Sequence, residues 1–112
     1  MSEEPTFIVD SMLGTLAKWL RILGFDTLYF KTIDDNELIK ISKQQGRILL
    51  TKDNRLVKNK KIDKYILINS DKLLDQLKEF LSFLSKYGSF SFNLYSRCIR
   101  CNVKLIEVNK KM

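Results

Sequence analysis

Phe7-Ile8-Val9-Asp10-Ser11-Met12-Leu13-Gly14-Thr15-Leu16-Ala17-Lys18-Trp19-Leu20-Arg21-Ile22-Leu23-Gly24 runs from a short apolar, β-prone stretch through an acid-bearing turn into a helical pattern. Phe7 to Val9 reads as a buried first strand ending at Asp10, and Ser11 is the expected helix N-cap. From there Leu13, Leu16, Ala17, Leu20 and Leu23 keep helical spacing, Lys18 and Arg21 lie on the other flank, and Gly24 supplies the stop. A strand, a turn carrying a carboxylate and a helix make one β/α unit.

The chain then repeats that unit. Thr27 to Phe30 reads as a second strand, and Asp34-Asp35-Asn36-Glu37 opens a helix that turns Leu38 and Ile41 inward and ends at Gly46. Arg47 to Thr51 is the third strand; a basic, partly helical stretch, Asn54-Arg55-Leu56-Val57-Lys58-Asn59-Lys60-Lys61, leads to a fourth at Tyr65 to Ile68. Ser70 or Asp71 should cap the longest helix, with Leu73, Leu74, Leu77, Phe80, Leu81 and Leu84 as its apolar stripe. Four alternations predict an α/β protein with a doubly wound, mostly parallel four-stranded sheet. Residues 1–88 form that domain. Residues 89–112, where Ser89-Phe90-Ser91-Phe92-Asn93-Leu94-Tyr95 alternates polar with apolar and Cys98 and Cys101 follow, read as a β-like appendage.

At 112 residues and 45% hydrophobic content, one domain can bury a real core. The net charge of +7 favours a polyanionic partner, RNA or DNA first. No apolar stretch approaches the ~20 residues of a membrane span, and Met1-Ser2-Glu3-Glu4-Pro5 lacks the basic region of a signal peptide, so a cytoplasmic, membrane-free protein is expected. Histidine is absent, which removes a histidine acid/base pair and any Ser-His-Asp triad.

The acids point to other chemistry. Asp10, Asp53 and Asp71 each follow an apolar run, and in an open α/β sheet the strand carboxyl ends face one crevice. Right-handed crossovers place the second strand beside the first and the third on the first strand's other side. Strands are about 4.8 Å apart, so Asp10 and Asp53 can share one hard cation, Mg²⁺ or Mn²⁺, with water and substrate phosphate completing its sphere.

The runs Phe7 to Thr27, Asp34-Asp35-Asn36-Glu37-Leu38, Gly46-Arg47-Ile48-Leu49-Leu50-Thr51-Lys52-Asp53 and Ser96-Arg97-Cys98-Ile99-Arg100-Cys101-Asn102 closely resemble, in order, the motifs of the Mut-seven C-terminal RNase domain, a PIN-like family. The resemblance implies a PIN-like fold and a metal-dependent ribonuclease whose acidic cluster is Asp10, Asp35 and/or Glu37, and Asp53. Members similar to this chain usually carry a second Cys-x-x-Cys, making a zinc ribbon. A structural zinc site wants four ligands, and here Cys98 and Cys101 stand with no histidine to help. Zn²⁺ is therefore a poor expectation: the pair reads first as a degenerate ribbon, then as a half-site completed by a second chain in a homodimer, then as a redox pair.

Each site residue has a structural alternative. Asp10 could cap the first helix, and Asp53 could be an ordinary turn residue. Asp34-x-x-Glu37 has the form of a capping box, leaving Asp35 outside the reciprocal pair, and Asp71 reads better as a cap than as a ligand. Lys18 and Arg21 are either the wet flank of a helix or phosphate contacts. Lys52, Arg55 and Lys58 form the better phosphate track, with Lys60 and Lys61 adding field. Trp19, Tyr29 and Phe30 could stack bases, but core packing is the stronger reading. The alternatives to a ribonuclease are a non-catalytic RNA-binding module or toxin-antitoxin-like regulator, and an adaptor that adds the Phe90, Phe92, Leu94 and Tyr95 segment as a strand.

Overall fold

The computed structural model describes residues 5–59, 62 and 64–85. The expected appendage, with Cys98 and Cys101, lies outside these residues, as do Lys60 and Lys61.

Strands β1 (Thr6–Val9), β2 (Asp26–Tyr29), β3 (Ile48–Thr51) and β4 (Tyr65–Leu67) form one sheet of order β2-β1-β3-β4. All three pairings are parallel. This is the order that right-handed crossovers dictate. A 3₁₀ turn (Ser11–Leu13) and helix α1 (Gly14–Ile22) follow β1, α2 (Asp35–Gln45) follows β2, α3 (Asn54–Asn59) follows β3, and α4 (Leu73–Ser85) follows β4.

Side-chain alternation along each strand divides the core in two. Phe7, Val9, Ile48 and Leu50 point to the face covered by α1 and α4, meeting Leu16, Leu20, Phe80 and Leu84. Ile8 and Leu49 point to the other face, meeting Leu38 and Ile39 of α2 and Leu56 and Val57 of α3. Phe7, Phe25 and Phe80 pack edge to face, with centroids 5.1 to 5.7 Å apart. Residues at the strand centres are buried on both faces, which is why these runs are continuously apolar.

The helix caps differ from expectation. Asp10, not Ser11, holds the N-cap position of the 3₁₀ turn, and its side chain makes no cap hydrogen bond. Asp34 does cap α2, accepting from the Glu37 N–H at 2.8 Å, and Gly46 ends that helix in the left-handed conformation that suits glycine. From within α4, Glu79 reaches back to the loop after β4 and accepts from the Asn69 and Ser70 N–H groups, each at 2.9 Å. Burial works to raise the Glu79 pKa, but the hydrogen bonds from Ser70 and Asn69 and the charge of Lys52 outweigh it and hold it below the ordinary value of 4.5.

A depressed folded-state pKa gives stability that is present above the unfolded value and lost as pH falls through the folded one. Glu79→Gln should therefore cost about 1 kcal/mol at neutral pH, with solvent screening limiting the effect. The difference from wild type should close in acid, below the ordinary glutamate range. Denaturant unfolding at both pH values checks this, and a difference independent of pH would mean that the charge is not responsible.

Several apolar and basic side chains also depart from expectation. Leu74 is 66% exposed, and Gln76 takes an inward place near it, its amide donating to the Ser70 carbonyl at 3.0 Å. Trp19 and Phe30 face solvent rather than the core, and only Tyr29 of the three expected aromatics packs against it. Arg21 is buried, not on a wet flank: its Nε donates to the Thr27 carbonyl at 2.8 Å, so it braces α1 against β2. At the same amino-terminal edge of the sheet, Arg47 donates to the Phe7 carbonyl at 3.0 Å and pairs with Asp26 at 2.8 Å.

Candidate active site at the strand carboxyl ends

β1 feeds a helix on one face of the sheet and β3 feeds a helix on the other, so the crevice of this topology opens between their carboxyl ends. Asp10 is the first residue beyond β1, and its N–H extends the ladder to the Leu50 carbonyl at 2.9 Å. Its carboxylate is 8% exposed and needs partners. Thr51 Oγ1 donates to Oδ2 at 2.8 Å, and Ser11 Oγ lies 3.5 Å from Oδ1.

The same Thr51 hydroxyl accepts from the Asp53 N–H at 3.0 Å. The Asp10 carboxylate and the Asp53 backbone, far apart in sequence, thus meet on a single oxygen at one edge of the sheet. Asp53 also caps α3, its Oδ1 accepting from the Arg55 and Leu56 N–H groups at 3.0 and 3.3 Å. Arg55, its own side chain 88% exposed, places Nε 3.8 Å from that oxygen.

Tyr29 and Gly14 hold the turn after Asp10 in place. The Tyr29 hydroxyl donates to the Ser11 carbonyl at 2.9 Å. A Cβ at position 14 would sit 2.8 Å from that hydroxyl, so a side chain there would displace the Tyr29 ring end from its hydrogen bond.

Asp35 and Glu37 lie in the first turn of α2, both exposed. α2 runs antiparallel to the strands, which puts its start at the carboxyl edge, on the layer opposite α1. The expected gathering of three acids is not seen: among the described residues no group of three or more acidic, cysteine or histidine side chains is placed to hold a metal. Two carboxylates are nevertheless what Mg²⁺ commonly takes from a protein, keeping several waters.

The basic residues separate into two roles. Lys52, expected to contact RNA, is instead a strut between the ends of β3 and β4: its Nζ donates to the Ser70 carbonyl at 3.0 Å and to Asp71 Oδ1 at 2.5 Å. The hydrogen bond from Lys52, followed by its charge, lowers the Asp71 pKa. Asp71 is thus tied to the end of β3 through Lys52. Lys18, Arg55 and Lys58 remain exposed.

The sequence pattern does not single out Thr51 or Glu79, and it offers Tyr29 for base stacking or core packing rather than as the hydrogen-bond donor to the Ser11 carbonyl. Thr51 carried a signal, being the one polar residue of an otherwise apolar third strand and wholly buried. Tyr29 and Glu79 act through contacts that local pattern does not encode.

A four-stranded parallel sheet wound on both faces, with acids at its switch point, defines a PIN-like α/β domain. The chain belongs to the Mut7-C RNAse domain family, whose model matches residues 5–112. That description carries ribonuclease as the activity and RNA as the substrate. No curated protein matches the sequence. Among the described residues, no helix is long and apolar enough to cross a membrane.

Proposed function

We propose that the protein is a metal-dependent ribonuclease that hydrolyses RNA phosphodiester bonds at the carboxyl ends of β1 and β3. The observation that carries this reading is that Thr51 Oγ1 donates to the Asp10 carboxylate and accepts from the Asp53 backbone N–H, so both residues stand at the switch point. Asp10 and Asp53 hold Mg²⁺ or Mn²⁺, with Asp35 and Glu37 available on the same edge from α2. When bound there, such an ion would supply an activated water and offset charge on the scissile phosphate.

The chain's own residues do the positioning. Thr51 fixes the orientation of the Asp10 carboxylate, and the first N–H groups of α3 fix Asp53. Arg55 and Lys58, three residues apart on α3, form a short cationic face beside Asp53 for the RNA backbone. Lys18 contributes from α1.

RNA binding without turnover is the second reading, as a binding module or a toxin-antitoxin-like regulator. It is favoured by the finding that, among the described residues, no group of three or more acidic, cysteine or histidine side chains is placed to hold a metal. Incubating the full chain with single-stranded RNA in manganese, magnesium and EDTA arms decides between them. Cleavage in either metal arm and its loss with EDTA is the expected result, and Asp53→Asn should remove it. Asparagine caps a helix as well as aspartate does, so that variant keeps α3 and loses the charge. Salt-sensitive binding with no cleavage in any arm would leave the binding module as the function.

A further inference from the structure

One face of α1 is unexplained by packing. Thr15, Lys18, Trp19 and Ile22 fall within about 100° of arc, pointing away from the sheet, while Leu16, Ala17 and Leu20 point into it. Trp19 is 40% exposed, and Met12, in the turn just before the helix, is 66% exposed. Among the described residues no other ring packs against the Trp19 indole. Exposing two large apolar side chains along one narrow line forgoes burial worth roughly 1.5–3 kcal/mol for a side chain such as methionine.

The setting of this line favours a nucleic acid over a protein. α1 has no acidic residue, Lys18 adjoins Trp19, and the chain carries a net charge of +7. The apolar surface is a line interrupted by Thr15, too thin for the packed centre of a protein interface. It also leads somewhere. Met12 and Thr15 border a groove of about 310 Å³ between the starts of α1 and α4, walled by Leu13, Asp71, Leu73 and Gln76, and Met12 lies two residues beyond Asp10. From Thr15 to Trp19 the helix rises about 6 Å, close to the span of two stacked bases at about 3.4 Å each.

We propose that this face of α1 is a binding ridge for single-stranded RNA: a nucleobase stacks on the Trp19 indole, Lys18 pairs with the adjoining phosphate, and the strand passes Thr15 and Met12 toward Asp10. The direction of the strand rests on the reading of Asp10 and Asp53 as the hydrolytic pair. Stacking is sequence-tolerant because every base has a π-face, so the ridge grips the strand without selecting its sequence.

Trp19 is the sole tryptophan of the sequence, so its emission reports the contact directly. With EDTA present to halt cleavage, titrating the full chain with a short single-stranded oligoribonucleotide of mixed sequence should quench that emission. In Trp19→Ala the affinity for the same labelled RNA, read by anisotropy, should fall about 5- to 100-fold. Trp19→Phe keeps a ring and should retain most of the binding. An abasic oligonucleotide of equal length should bind wild type and Trp19→Ala alike. Unquenched emission at saturating RNA, or Trp19→Ala binding RNA as tightly as wild type, overturns the ridge; a protein-docking face would give that second result. Quenching with no turnover in manganese supports the ridge and sinks only the hydrolytic reading, whereas turnover with unquenched binding sinks only the ridge.

Discussion

Asp10→Asn is expected to lower metal-supported RNA cleavage by roughly 10²–10³-fold, the loss typical when one preorganised electrostatic contact to a transition state is removed. The substitution is nearly isosteric, and the amide oxygen can still accept from Thr51 Oγ1 in place of Oδ2. Its melting temperature should therefore stay close to wild type. That combination separates chemistry from folding, because Asp10 is buried and a cruder change such as Asp10→Ala would leave the Thr51 hydroxyl without its acceptor, costing about 1–3 kcal/mol. A single-turnover assay beside a thermal melt provides the measurement. Cleavage at the wild-type rate by a folded Asp10→Asn protein would remove Asp10 from the mechanism and leave the crevice without its central acid.

Phe80→Ala should have the largest effect on stability, about 3–5 kcal/mol. Phe80 is fully buried and contacts the rings of both Phe7 and Phe25, joining α4 to β1 and to the segment just before β2. Domains of this size have only ~5–15 kcal/mol in total, so the variant should melt roughly 15–30 °C lower or fail to accumulate as folded protein. Phe80→Leu, which keeps most of the volume, should retain the fold at a much smaller cost. Chemical unfolding of the two variants gives the comparison. A loss under ~1 kcal/mol for Phe80→Ala would mean that the three-ring cluster is not the main tie between α4 and the sheet.

The order of the sheet and the meeting of Asp10 with the end of β3 were legible because they follow from short-range rules. Apolar runs bounded by acids and glycines marked the strands, and crossover handedness ordered them. The structure departs from the sequence reading where a side chain finds a distant partner. Lys52 looked like a phosphate contact beside Asp53, yet β4 lies next to β3 and brings Ser70 and Asp71 within its reach. Arg21 sits at the border of the helix's wet flank, and its long stem carries the guanidinium inward to the Thr27 carbonyl. Trp19 is a different case: helical spacing already put it beside Thr15 and Lys18, and its hydrophobicity was given more weight than its position. Glu37 remained ambiguous for a physical reason, since the cap at Asp34 uses the Glu37 backbone N–H and leaves the glutamate side chain exposed.

The hydroxyl of Thr51 has a consequence for how the chain is made. Asp10 is made before its hydrogen-bonding partner, which lies 41 positions later, and the second aspartate follows only after that. A nascent chain that has formed β1, β2 and their helices lacks both. Under the hydrolytic reading, the pair is complete only once β3 lies beside β1, so activity and closure of the sheet should appear together during refolding.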